Sequence, residues 1–146
     1  MAIYDYLPKF NYIEPNNLKG LLPGFVVAQV EDVAEELLDE NGMFENGKIC
    51  ALSGNKIVKA TGEERALFIH FTEPLNTIRN SDQYFAVNVK NECPRLVQLI
   101  PGDEWMSTDP DCEIEGRIVK VTAEKGWFAV DYMANGDKAY HYMFLG

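Results

Sequence analysis

Short β-rich runs, separated by Gly, Asn, Asp or Pro, recur from Phe25 to the last residues and limit what this chain can fold into. They occupy residues 25–30, 48–52, 56–60, 67–71, 84–90, 95–100, 117–122, 126–133 and 138–145, and favour the side chains that fit a pleated surface. Runs this short predict an all-β, mainly antiparallel fold, a compact barrel or sandwich, because a parallel sheet would need longer crossovers between them. Asn135-Gly136 lies between two alternating runs and supplies the positive φ angles of a type I′ turn. Ser53-Gly54-Asn55 and Ala123-Glu124-Lys125 read as shorter turns of the same kind, so much of the sheet is expected to be a meander. One helical window interrupts the pattern. Val30, Val33, Ala34, Leu37 and Leu38 repeat at i, i+3, i+4, i+7 and i+8, Asp32 with Glu35 resembles a capping box, and Asn41-Gly42 supplies a stop.

Residues 1–24 read differently. Tyr4, Tyr6, Phe10 and Tyr12 are interleaved with Pro8, Pro15 and Pro23, and Asn16-Asn17 and Gly20 break any period. Proline removes a ladder donor and restrains the residue before it, whereas so many aromatic and aliphatic side chains are costly to leave in water. The segment is expected to be an extended arm lying on a surface, with Tyr4, Tyr6, Phe10 and Tyr12 as docking residues. A single β-rich domain follows over 25–146.

A chain of 146 residues can bury one well-made core but scarcely two. Thirteen Lys and Arg against 23 Asp and Glu give a net charge of −10, which repels a phosphate backbone, so nucleic acid is not an expected partner. Met1 to Phe10 hold no basic stretch leading into an apolar one, and no apolar run reaches membrane-spanning length. Neither signal-peptide export nor a membrane partner is expected. Cys50, Cys93 and Cys112 are odd in number, widely spaced and without a C-x-x-C pair, as thiols in a reducing cytoplasm would be.

Side chains able to do chemistry are few and scattered. His70, in Leu67-Phe68-Ile69-His70-Phe71-Thr72, shares a strand face with Phe68 and is of the type that titrates near neutrality, but no partner for acid–base work is evident. His141, between Tyr140 and Tyr142, is expected to be half-buried, and two histidines alone do not make a zinc site. The acidic run from Asp109 to Glu115, preceded by Asp103-Glu104, offers oxygen ligands for calcium. An EF-hand count from Asp109, however, places Ile114 and Lys120 where Gly and Glu are required. The spacing of these carboxylates does not select a glycosidase pair either. Ser53 lacks a nucleophile-elbow context, and the glycines form neither a Walker A pattern nor G-x-G-x-x-G. No catalytic residue, metal or cofactor is assigned. The aromatic candidates for an interface are Trp105, Trp127, Tyr140, Tyr142 and Phe144. In the last run Tyr140, Tyr142 and Phe144 take one face and Ala139, His141, Met143 and Leu145 the other, so both faces are apolar and each needs a cover.

An aromatic lead runs into Leu21-Leu22-Pro23-Gly24-Phe25-Val26-Val27-Ala28-Gln29. Phe44-Glu45-Asn46-Gly47-Lys48-Ile49-Cys50-Ala51-Leu52-Ser53 then precedes a short hairpin, and Leu99-Ile100-Pro101-Gly102-Asp103-Glu104-Trp105-Met106-Ser107-Thr108-Asp109 follows later. In this order the features resemble small virion structural proteins of tailed bacteriophages, of the capsid-decoration or head-auxiliary type. The resemblance implies a compact β-fold without catalytic residues, made in the host bacterial cytoplasm and seated on the virion, outside the head shell. It further implies the major capsid protein or other virion proteins as partners and a homo-oligomer on the particle. A tail or head–tail connector component is the nearest rival. From other classes come an OB- or SH3-like barrel that binds peptide or carbohydrate through Trp105 and Trp127, and a small hydrolase built on the acidic loop.

Overall fold

The computed structural model describes residues 11, 13–19, 27–29, 32–72, 86–90, 93–121 and 140–146. Within them lie the strands β1 (Ile13–Asn17), β2 (Val27–Gln29), β3 (Asp32–Val33), β4 (Met43–Glu45), β5 (Ile49–Ser53) and β6 (Lys56–Lys59). They are followed by β7 (Phe68–His70), β8 (Ala86–Asn88), β9 (Arg95–Gln98), β10 (Glu104–Ser107), β11 (Ile118–Val121) and β12 (Tyr140–Phe144). The protein is all-β, and its strands form a four-stranded sheet in the order β1-β10-β12-β11, a six-stranded sheet in the order β2-β9-β7-β5-β6-β3, and a β4-β8 ribbon. Every named pairing is antiparallel except β3 with β6. The β5-β6 hairpin turns on Gly54 at φ 62, with no positive φ at Asn55; Gly at the first central position is the type II′ arrangement. Its neighbour departs from a meander, because β7 pairs with β5 and β9 and not with β6.

Alternation along β7 and β9 explains how the sheets stack. Leu67, Ile69, Val97 and Leu99 enter one core with Ile13, Trp105, Ile118, Tyr142 and Phe144 of the four-stranded sheet. Phe68 and Leu96, pointing the other way, join Phe44, Cys50, Ile57 and Val87 in a second core beneath the ribbon. The six-stranded sheet is thus the middle layer, apolar on both faces, and the two cores account for why its strands read as nearly continuous hydrophobic runs.

Two expectations are corrected here. In the window over 30–38 the described residues, 32–38, form no α-helix: Asp32 and Val33 pair with Lys56 and Ile57, and only a 3-10 turn, Glu35–Leu37, follows. Leu37 is buried and Val33 packs beside the same core, while Asp32, Glu35 and Glu36 are exposed, so a helical spacing of apolar residues is met by a strand and a single turn. Gly42 does take a positive φ of 76, after Asp39 has accepted the amides of Asn41 and Met43 through its side chain. The second correction concerns the arm. Residues 13–19 belong to the domain, since β1 pairs with β10 and both Ile13 and Leu18 are 4% exposed within the main core. Pro15 is accommodated because β1 is an edge strand and its register shifts between Glu14 and Asn17. Tyr4, Tyr6, Phe10, Tyr12, the expected strand over 126–133, and the turns at Asn135-Gly136 and Ala123-Glu124-Lys125 lie outside the described residues.

Candidate functional site

His70 is the most constrained polar side chain in the middle layer, and it is completely buried. Strand β7 turns it toward the ribbon, as its alternation with Ile69 requires, and its ring stacks on Phe44 with centroids 3.8 Å apart and planes 5° from parallel. Nδ1 lies 2.8 Å from the Glu45 carbonyl oxygen and Nε2 lies 2.8 Å from Thr72 Oγ1. A carbonyl only accepts, so Nδ1 carries the proton. The Thr72 hydroxyl already accepts the Arg95 amide at 2.9 Å and supplies its own proton to Nε2, which completes a network for the neutral ring. Burial holds the imidazole down at about 4, although the Glu45 carbonyl opposes that shift. Around it, Gly47 N–H bonds to the His70 carbonyl, His70 N–H to the Lys48 carbonyl, and Thr72 N–H to Asn46 Oδ1. A ring so engaged is a structural tie, not a base open to substrate.

Asp103 makes a second knot. Pro101-Gly102 turns the chain, Gly102 at φ 93, and places the Asp103 carboxylate where Oδ2 accepts the Ile100 amide and Oδ1 the Lys19 amide, at 2.8 and 3.1 Å. Its carbonyl accepts the Phe144 amide, so this one residue joins the end of β1, the start of β10 and the end of β12. Asp103→Ala would leave two amides without their acceptor, and unfolding in urea is expected to reveal a loss of about 2–4 kcal/mol. Glu104→Ala, which spares both amides, should cost under about 1 kcal/mol in the same measurement.

The acidic loop is braced from several sides. Tyr142 donates its hydroxyl to the Asp109 carbonyl at 2.5 Å, Asp109 Oδ1 accepts the Asp111 amide, and the Cys112 thiol faces the Gly47 carbonyl at 3.6 Å. Beside this loop is a cavity of about 350 Å³ lined by Lys48 and Lys59, by Asp109, Asp111 and Glu113, and by Cys112 and Ile114. Burial raises the thiols of Cys50 and Cys112 far above their ordinary range and likewise the Tyr142 phenol, so none of the three is a ready nucleophile. Among the described residues no group of three or more His, Cys, Asp or Glu is arranged to hold a metal ion.

The aromatic interface candidates are redistributed by the fold. Trp105 and Tyr142 are completely buried, with rings stacked at 5.7 Å, and Phe144 lies in the same core; none of these three is available to a partner. Their strands are inner members of a sheet whose Tyr142 and Phe144 face lies on another sheet, so the cover of that face is the protein itself. Tyr140 is half-buried with Lys120 Nζ 4.7 Å above its ring, and Trp127 lies outside the described residues. His141 is more buried than expected, with Nε2 3.5 Å from Glu104 Oε1. Ser53 is exposed at the hairpin. Arg117, which the sequence did not single out, donates to the carbonyls of Gly62, Glu64 and Gly146 and lies over the Phe144 ring, and only the fold brings those distant acceptors together.

No family model, no curated protein and no solved structure matches this chain.

Proposed function

We propose that this chain is a non-catalytic structural protein of a phage particle, a capsid decoration or stabilising subunit bound to the outside of the head shell. The observation that carries the reading is the use of its polar and reactive side chains. His70, Asp103, Asp109, Cys112 and Tyr142 are all engaged in tying strands and layers together. The Leu99–Asp109 segment that resembles head-auxiliary proteins contributes two of these ties. A net charge of −10 suits a subunit that faces solvent outside a DNA-filled shell. The test is cryo-electron microscopy of particles purified from the phage that encodes the chain. Density for the layered domain is expected at a fixed symmetry position on the outer head surface; particles that lack the protein altogether would refute the reading.

A further inference from the structure

We propose that His70 is an acid-sensitive latch: proton uptake by its ring releases the β4-β8 ribbon and the segment 43–48 from the six-stranded sheet while the four-stranded sheet stays folded. The geometry places His70 at the joint between those parts. Its Nδ1 holds the Glu45 carbonyl, its ring face holds Phe44, and the backbone pairs at Gly47 and Lys48 surround it. On the other side, Thr72 Oγ1 links Nε2 to the Arg95 amide of β9.

A proton on Nε2 disrupts this joint in two ways. It puts a charge where no water reaches, and it reverses the Nε2 contact, so the Thr72 hydroxyl must accept from both the ring and Arg95 and redirect its own proton. The Phe44 face would attract an imidazolium and offset part of the cost. Among the described residues the charged groups on adjoining elements are Glu45 of β4, Lys48 and Arg95 of β9; β5 and β8 bring none. Glu45 turns its carboxylate to the Asn11 amide at 2.8 Å, and the other two are cations, so no anion compensates the ring. At neutral pH the latch stays shut because release also exposes Phe44, which is completely buried.

The sign follows from where the proton binds. The released ring recovers an ordinary value near 6.5 while the latched ring stays at about 4, so release is unassisted above pH 6.5, grows as pH falls, and levels off below about 4. Between pH 7.5 and 5 the opening equilibrium should rise about 30-fold.

The experiment is NMR titration of the imidazoles in the full chain, with amide hydrogen exchange over the same range. The His70 midpoint is expected more than one unit below 6.5. Protection at Gly47 and Thr72, corrected for intrinsic exchange, should fall about 30-fold while β10 and β12 keep theirs. His70→Gln should abolish that dependence. An ordinary His70 midpoint, parallel loss in β10 and β12, or the same pH response in His70→Gln would each overturn the latch. Should His70→Gln fail to fold, the titration and the wild-type protection pattern decide alone.

Discussion

Removing residues 1–24 is expected to abolish cooperative unfolding of the domain. Strand β1 carries Ile13 into the main core and Leu18 follows it there, both 4% exposed. Truncating a buried aliphatic side chain to alanine costs roughly 2–5 kcal/mol, and here two are lost whole. The deletion also strips β10 of its partner along Ile13↔Ser107 and Glu14↔Met106, and takes the Lys19 amide from Asp103. Together these losses rival the total stability of about 5–15 kcal/mol typical of a domain. Urea unfolding followed by circular dichroism should give a sloping, non-cooperative curve for residues 25–146. Deletion of residues 1–10 leaves those contacts in place and is the comparison. A sharp transition for the shorter chain, at the midpoint of the full one, would mean that β1 is peripheral.

That expectation reverses what residues 1–24 imply when only their prolines are weighed. Pro15 does exclude β1 from a central position, but an edge strand needs half its ladder, and a register shift at Glu14 to Asn17 absorbs the rest. What sequence could not convey is that Ile13 and Leu18 share a core with Trp105 and Phe144, because such contacts join residues roughly 90 to 130 positions apart. The strands that were legible include those with dense β-branched residues, such as Lys56–Lys59 and Ile118–Val121. Met43–Glu45 and Glu104–Ser107 were not, being short and chemically mixed, and their pairing is set by partners elsewhere. At 30–38 the helical period was present and tertiary pairing won, since Val33 gains the Ile57 register and its core. His70 illustrates the same limit at a site. Alternation placed it beside Phe68, correctly, but nothing in Leu67-Phe68-Ile69-His70 announces the Phe44 stack or the Glu45 carbonyl that fix its role.

Trp105→Ala is expected to destabilise the domain by about 3–5 kcal/mol, the cost of emptying the largest side chain of a packed core. Trp105 is completely buried on an inner strand, opposite and stacked on Tyr142 of β12 and in the same core as Ile13 of β1, so its neighbours hold the space open and limit collapse into it. Tyr142 is itself fixed by its bond to the Asp109 carbonyl and cannot swing in without releasing the acidic loop. Trp105→Phe should behave quite differently. The indole Nε1–H has no hydrogen-bond partner among the described residues, and a buried donor left unmade costs about 1–3 kcal/mol. Phenylalanine removes that donor while keeping an aromatic face for Tyr142, so the relief offsets much of the smaller cavity and the net loss is expected below about 1.5 kcal/mol. Equilibrium denaturation of both variants separates the two contributions. If Trp105→Phe were as damaging as Trp105→Ala, Nε1 would have to be satisfied in solution, by an ordered water or by chain outside the described residues, and the indole would be held by polarity as well as by packing.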